Sequence, residues 1–260
     1  MKLEPSNIGA LGNLGVVLSR TRRYQEAAEV YQSALKLAPN DRGLLQNLGL
    51  AWSKAERCDL AVPVLARAKA AELLAACELK LDHPLLALDA LKDSPDTPVS
   101  LHLRGVAHYE AGHFEEAAAA LEKTTSYRDL GKVYVSLRRD DEAETMLREA
   151  LAQDPKDVQA AYYLGALLIR AQRYDEAEPH LQAARAADPD LWGSYYYLAR
   201  SRLERKSAAE AATLLRKAAE LNPKEPSIFY LLSRALQADG KPDEAQEALA
   251  RWKALKSSAP

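Results

Sequence analysis

Residues 161–190, AYYLGALLIRAQRYDEAEPHLQAARAADPD, and residues 195–224, YYYLARSRLERKSAAEAATLLRKAAELNPK, are two versions of one pattern. Self-similarity at a fixed interval decides the architecture before any motif does, because each repeat must bury its apolar face against its neighbours. The interval here is 34 residues. Asn13-Leu14-Gly15 returns as Asn47-Leu48-Gly49 at that spacing. Gly131, Gly165, Ala199 and Ser233 keep it, as do Ala143, Ala177, Ala211 and Ala245, and Pro155, Pro189 and Pro223. Three kinds of marker hold one register.

Between markers, apolar residues recur three and four apart, as in Leu164, Leu167 and Leu168 and then Ala177, Leu181 and Ala184. This is helical periodicity, and it predicts two helices per unit. A polar stretch such as RAQRYDEAE (170–178) separates them, where Asp175 is expected to cap the second helix and acidic residues suit its first turn. The proline in QDPKD (153–157), ADPDL (187–191) and LNPKE (221–225) stops the second helix and sets the next. Small residues are predicted where the two helices approach closely: the glycine on the first, the alanine near the start of the second.

Residues 8–41, IGALGNLGVVLSRTRRYQEAAEVYQSALKLAPND, carry Leu11, Leu14, Gly15, Leu18, Tyr24, Ala27, Tyr31, Ala34 and Pro39. This pattern resembles the tetratricopeptide repeat, a helix-turn-helix unit with small-residue, aromatic and proline landmarks. The resemblance implies an all-α, right-handed superhelical solenoid of about seven or eight antiparallel helix pairs. An N-terminal segment, 1–97, is expected to hold units near 8–41 and 42–70 and a degenerate one at 71–97. A C-terminal segment, 98–260, is expected to hold units near 98–123, 124–157, 158–191, 192–225 and 226–260. The middle departs from the pattern: 71–96 has no glycine landmark, and Gly131 follows Gly105 by 26 residues, so about two helical turns are missing. KLEPSN (2–7) repeats KLAPND (36–41), so the chain reads as a piece of a longer protein that starts in the tail of a preceding unit.

With 48% hydrophobic and 28% charged residues, the chain can bury a core and is not disordered throughout. A formal charge of -2 argues against strong, indiscriminate attraction for nucleic acid or anionic membrane. No apolar run approaches the ~18 residues of a membrane span. Cys58 and Cys77 make no disulfide framework; as small buried hydrophobes with intact thiols they favour a reducing compartment such as the cytoplasm. No phosphate-cradling glycine loop, nucleophile elbow or zinc-spaced cysteine pair occurs. His102, His108 and His113 are spaced by six and five, which does not align imidazoles on one helix face. The acidic runs at 115–116 and 140–144 fall at starts of second helices, where carboxylates suit the dipole. No catalytic residue, cofactor or metal is therefore predicted.

The resemblance implies a concave face lined mostly by first helices. Residues three before and one after each landmark lie one turn apart on the side away from the core. They are Arg128 and Lys132, Tyr162 and Ala166, Tyr196 and Arg200, and Tyr230 and Arg234. Tyrosine gives contact area with a polar tip, and arginine pairs bidentately with carboxylates, so this ladder suits a protein or peptide carrying acidic or aromatic residues. The other reading is that these tyrosines pack between neighbouring first helices, as Tyr195 and Phe229 are expected to. Asn13 and Asn47 match the asparagine ladder of O-linked N-acetylglucosamine transferases, whose amides bind peptide backbone. Leu103, Asp129, Tyr163, Tyr197 and Leu231 end that ladder, and Gly12 and Val16 replace the first lysine and asparagine of the family's carboxylate clamp. The expected function is a noncatalytic protein-interaction scaffold. The alternatives are the recognition arm of a larger enzyme such as a glycosyltransferase, and an array that self-associates through terminal faces bearing Leu249, Trp252 and Leu255.

Overall fold

The computed structural model describes residues 7–257, so all of the KLEPSN match except Asn7 lies outside the described residues. Among the described residues are sixteen α-helices and no strand. The chain packs as two units, one ending at Thr125 and the other beginning at Ser126. The first holds α1 (Ile8–Arg20), α2 (Tyr24–Leu37), α3 (Arg42–Lys54), α4 (Cys58–Ala68), α5 (Ala71–Lys80), α6 (Pro84–Leu91), α7 (Pro98–Glu110) and α8 (Phe114–Leu121). The second holds α9 (Tyr127–Ser136), α10 (Asp140–Gln153), α11 (Val158–Arg170), α12 (Tyr174–Ala187), α13 (Trp192–Glu204), α14 (Ala208–Leu221), α15 (Pro226–Ala238) and α16 (Pro242–Ser257). Within each unit every helix packs on the one before and the one after. Each interval marked out by the repeat contains one helix pair.

The turn inside each pair follows one rule. Three residues join the helices, and the central one is left-handed: Arg22, Glu56, Asp82, Gly112, Arg138, Gln172, Lys206 and Gly240 all have positive φ. The next residue donates its N–H back across the turn, as Arg23 does to the Leu18 carbonyl (2.9 Å), Arg173 to Leu168 (2.9 Å) and Lys241 to Leu236 (2.9 Å). This closure ends the first helix on its own orphan carbonyls. Glycine occupies only two of the eight positions, so in the other six the packed pair holds a side chain in a region that disfavours it.

That turn also fixes where the second helix begins. Asp175 is not the cap of α12; the helix starts one residue earlier, at Tyr174, after Arg173, which makes no side-chain cap bond. Arg173 instead bonds Glu176 (2.7 Å) in the first turn and Glu144 (2.7 Å) on α10. Five of the eight first helices, α1, α3, α7, α11 and α15, are capped by side chains: Asp41 accepts from the Leu44 N–H (2.9 Å) and Asp157 from the Ala160 N–H (3.0 Å). The proline-bearing links 38–41, 154–157, 188–191 and 222–225 are each four residues long. Near the middle the second helices shorten: α6 and α8 have 8 residues where α2, α10, α12 and α14 have 14.

The landmark residues explain the pairing. Ala27, Ala61, Ala117, Ala143, Ala177 and Ala211 are fully buried. Each landmark glycine faces a large side chain sixteen residues later: Gly15 faces Tyr31, Gly49 Leu65, Gly105 Leu121, Gly131 Leu147 and Gly165 Leu181. The second helix delivers a bulky side chain, and the first makes room by having none.

Cys58 on α4 and Cys77 on α5 are buried in the apolar core of the first unit, their Sγ atoms 3.1 Å apart. Burial, the largest influence, pushes the Cys77 thiol up to about 11. Cys77 is held as the unreactive thiol and Cys58 is shielded by burial, so neither cysteine should react with an aromatic disulfide reagent at pH 8 while the chain is folded. Both should react on unfolding in urea. Rapid labelling of the native protein would contradict the packing.

Candidate functional site

The C-terminal unit presents the tyrosine ladder from α11, α13 and α15, and its rungs differ. Tyr162 on α11 is partly buried, with ring centroids 5.1 Å from Tyr163 and 5.9 Å from Tyr197 on α13. Its hydroxyl end occupies the space over Gly193, where an added Cβ would lie 2.5 Å from the phenolic oxygen. Burial holds the Tyr162 phenol well above the ordinary value, and the neighbouring Tyr197 and Tyr163 add to the shift. Tyr196 meets Tyr197 at 5.3 Å and Trp192 at 6.1 Å, both nearly edge-on. These five aromatic side chains form one cluster across α11 and α13. Tyr230 lies outside it, 45% exposed, and pairs with Trp252 of α16 at 5.4 Å.

The cations of the ladder also separate. The Arg200 guanidinium stands 5.9 Å from the Tyr197 ring centroid and makes no ion pair among the described residues. Arg128 is held by Asp129 (3.1 Å) and Asp157 (3.5 Å), and hydrogen bonding to Asp129 is the main cause that raises its already high pKa. Lys132 is partly buried on α9. Arg234 is exposed and lines, with Ser233, Gln237 and Leu249, a shallow cleft of about 440 Å³ on the last helix pair. Tyr195 donates to the Pro189 carbonyl (3.0 Å), and Arg185 of α12 lies over its ring.

In the N-terminal unit Asn13 is exposed on α1, and Asn47 on α3 is partly buried. Asn47 lines a cleft of about 310 Å³ where α1, α2 and α3 meet. Arg20 and Lys54, which the positions around the landmark glycines do not include, line it too. They are 34 residues apart in equivalent last turns of first helices, a register in which the repeat itself carries the signal.

His108 and His113 come within 5.8 Å despite their unhelical spacing, because the turn at Gly112 folds His113 back beside the end of α7. Burial lowers the pKa of His108 and favours its neutral form. Among the described residues no group of three or more His, Cys, Asp or Glu could hold a metal, and no helix is long and apolar enough to cross a membrane.

Residues 9–41, 98–123, 128–191, 168–226 and 202–257 each match a tetratricopeptide repeat family. The chain belongs to the tetratricopeptide repeat family. Its fold is shared by solved structures of MamA. One, MamA AMB-1, is 24% identical with a TM-score of 0.52, over 63% of this chain and 93% of that one. MamA MSR-1 is 23% identical with a TM-score of 0.53, over 62% of this chain and 97% of that one. At these identities the likeness concerns the fold. No curated protein sequence matches the chain. Tetratricopeptide arrays and their structural neighbours support a protein-interaction scaffold in general terms.

Proposed function

We propose that this tetratricopeptide array is a noncatalytic scaffold that holds a segment of a partner protein on the exposed side of its first helices. The observation that carries the reading is the pairing of Tyr196 and Arg200, one turn apart on α13. The tyrosine is braced edge-on by Trp192 and Tyr197, and the arginine has no carboxylate of its own among the described residues. A braced aromatic anchor has little rotamer freedom left to lose on binding, so more of its contact energy appears as affinity. An unpaired guanidinium beside it offers a planar fork to an incoming carboxylate.

The test is affinity capture with the wild-type chain and the Tyr196→Ala/Arg200→Ala variant in parallel. The variant is expected to keep its helicity and to lose proteins that the wild type retains. Two identical sets of captured proteins, with both chains folded, would reject this surface.

A further inference from the structure

A cleft of about 310 Å³ lies between α1, α2 and α3. Its floor is apolar, built on Tyr31, which is 2% exposed. Its wall includes Val16 and Leu50, the latter 39% exposed despite its size. Arg20 and Lys54 supply the charge, and no carboxylate lines the space. Ser19 and Tyr24 add hydroxyls, and the Asn47 amide can donate and accept at once.

A cation in the last turn of a helix is ordinarily explained by the helix dipole. That accounts for the position of Arg20 and Lys54 and leaves their lack of partners unexplained. Of the five other arginines in α1 to α4 and their turns, four find partners and only Arg22, in the α1–α2 turn, does not among the described residues. Arg23 binds Glu26, Arg57 binds Asp59, Arg42 donates to the Ala68 carbonyl (2.7 Å), and Arg67 donates to the Pro39 carbonyl (2.8 Å). Where the C-terminal unit has a cation in the same register, Arg170, it is bonded to Asp140. Arg20 and Lys54 make no hydrogen bond or ion pair among the described residues. Two free cations, an exposed leucine and a partly buried amide thus share one concavity.

We propose that this cleft binds a protein segment in which acidic side chains flank an apolar one. The acidic carboxylates pair with Arg20 and Lys54, the apolar side chain covers Leu50 and Val16, and the Asn47 amide bonds the main chain. The volume matches the smaller end of ligand pockets and accommodates one or two side chains. Neighbouring first helices lie roughly 8–10 Å apart. Two cations on such helices therefore match two side-chain carboxylates better than a single chain terminus. Nucleic acid would meet only two cations here, where phosphate recognition depends on many. The inference rests on the scaffold reading and assigns it a partner chemistry at a place distinct from Tyr196 and Arg200.

A random dodecapeptide display library, blocked at the displayed C-terminus, tests it against the full chain. The wild type is expected to select sequences with Asp or Glu beside Leu, Ile or Phe. Synthesised as capped peptides, these should bind the Arg20→Glu/Lys54→Glu variant at least tenfold more weakly, should weaken with added salt, and should bind Tyr196→Ala/Arg200→Ala as well as wild type. Arg20 and Lys54 are both exposed, so circular dichroism should be unchanged; if reversal unfolds the chain, Arg20→Ala/Lys54→Ala replaces it with the same expectation. Selected peptides that lack acidic residues, or that bind the reversed variant equally, would overturn the proposal. So would an oligothymidylate probe that binds wild type and not the reversed variant, or peptides that bind only with a free C-terminus. Peptides that depend on Tyr196 and Arg200 alone would remove the cleft and leave the scaffold reading standing. If no selected peptide depends on either pair, both readings fail.

Discussion

Replacing Gly165 with leucine should destabilise the C-terminal unit by about 3 kcal/mol, at the upper end of what overpacking a core costs. Even the first added carbon would lie 2.5 Å from Cγ and 2.8 Å from Cδ2 of Leu181, which is fully buried on α12. Gly165→Ala is a different case. It gains about 1 kcal/mol of helix propensity, which offsets much of the crowding. The next units show that the site can take a Cβ, since Ala199 and Ser233 occupy the same register. The alanine variant should therefore lie within about 1 kcal/mol of wild type. Urea unfolding followed by far-ultraviolet circular dichroism reports both changes. Adding Leu181→Ala to Gly165→Leu moves the bulk from the second helix to the first and should recover at least half of the loss. A coupling energy below about 0.5 kcal/mol in that double-mutant cycle would mean that the two positions do not share one space.

The same complementarity explains why the fold is so legible. A 34-residue period survives because each unit must present a gap on its first helix and a bulky side chain sixteen residues on, so Gly15 with Tyr31 and Gly165 with Leu181 leave matching marks in the sequence. The turns leave no such mark. Six of the eight left-handed positions carry Arg, Glu, Asp, Gln or Lys, so their geometry comes from the closed pair and not from glycine at the turn. The expectation that Asp175 caps α12 fails for the same reason, because the hydrogen bond from the Arg173 N–H to Leu168 sets the start of that helix. The candidate surface is partly legible. Spacing alone identifies the tyrosine ladder, but whether each rung is covered depends on its neighbours: Gly193 admits the end of Tyr162, while Tyr230 meets only Trp252 among ring contacts of the described residues. The 34-residue register marks Arg20 and Lys54 as equivalent, but the cleft they line also needs Tyr24 and Tyr31 from α2, which that register does not reveal.

Tyr162→Ala should therefore behave as a core truncation and lower stability by about 3 kcal/mol, whereas Tyr230→Ala should lower it by less than about 1 kcal/mol. The first removes a ring lodged between α11 and α13, and the second shortens a side chain that is 45% exposed. Alkali gives an independent reading of the same contact. The unfolded chain ionises its tyrosines near 10, while burial holds Tyr162 above that value when folded, and Tyr197 is raised by burial as well. Above pH 10 the unfolded state loses these protons first. The stability they contribute is complete below that pH and declines as the pH climbs towards the folded values. Tyr162→Phe keeps the ring and removes the titrating group, so the alkaline decline should become shallower while stability at pH 7 changes little. The ladder's two readings then part on one pair of measurements. If Tyr162→Ala unfolds normally and abolishes partner binding, the residue is a groove anchor; if it destabilises as expected, it joins two units, and the anchoring falls to Tyr196 and Arg200 beside it.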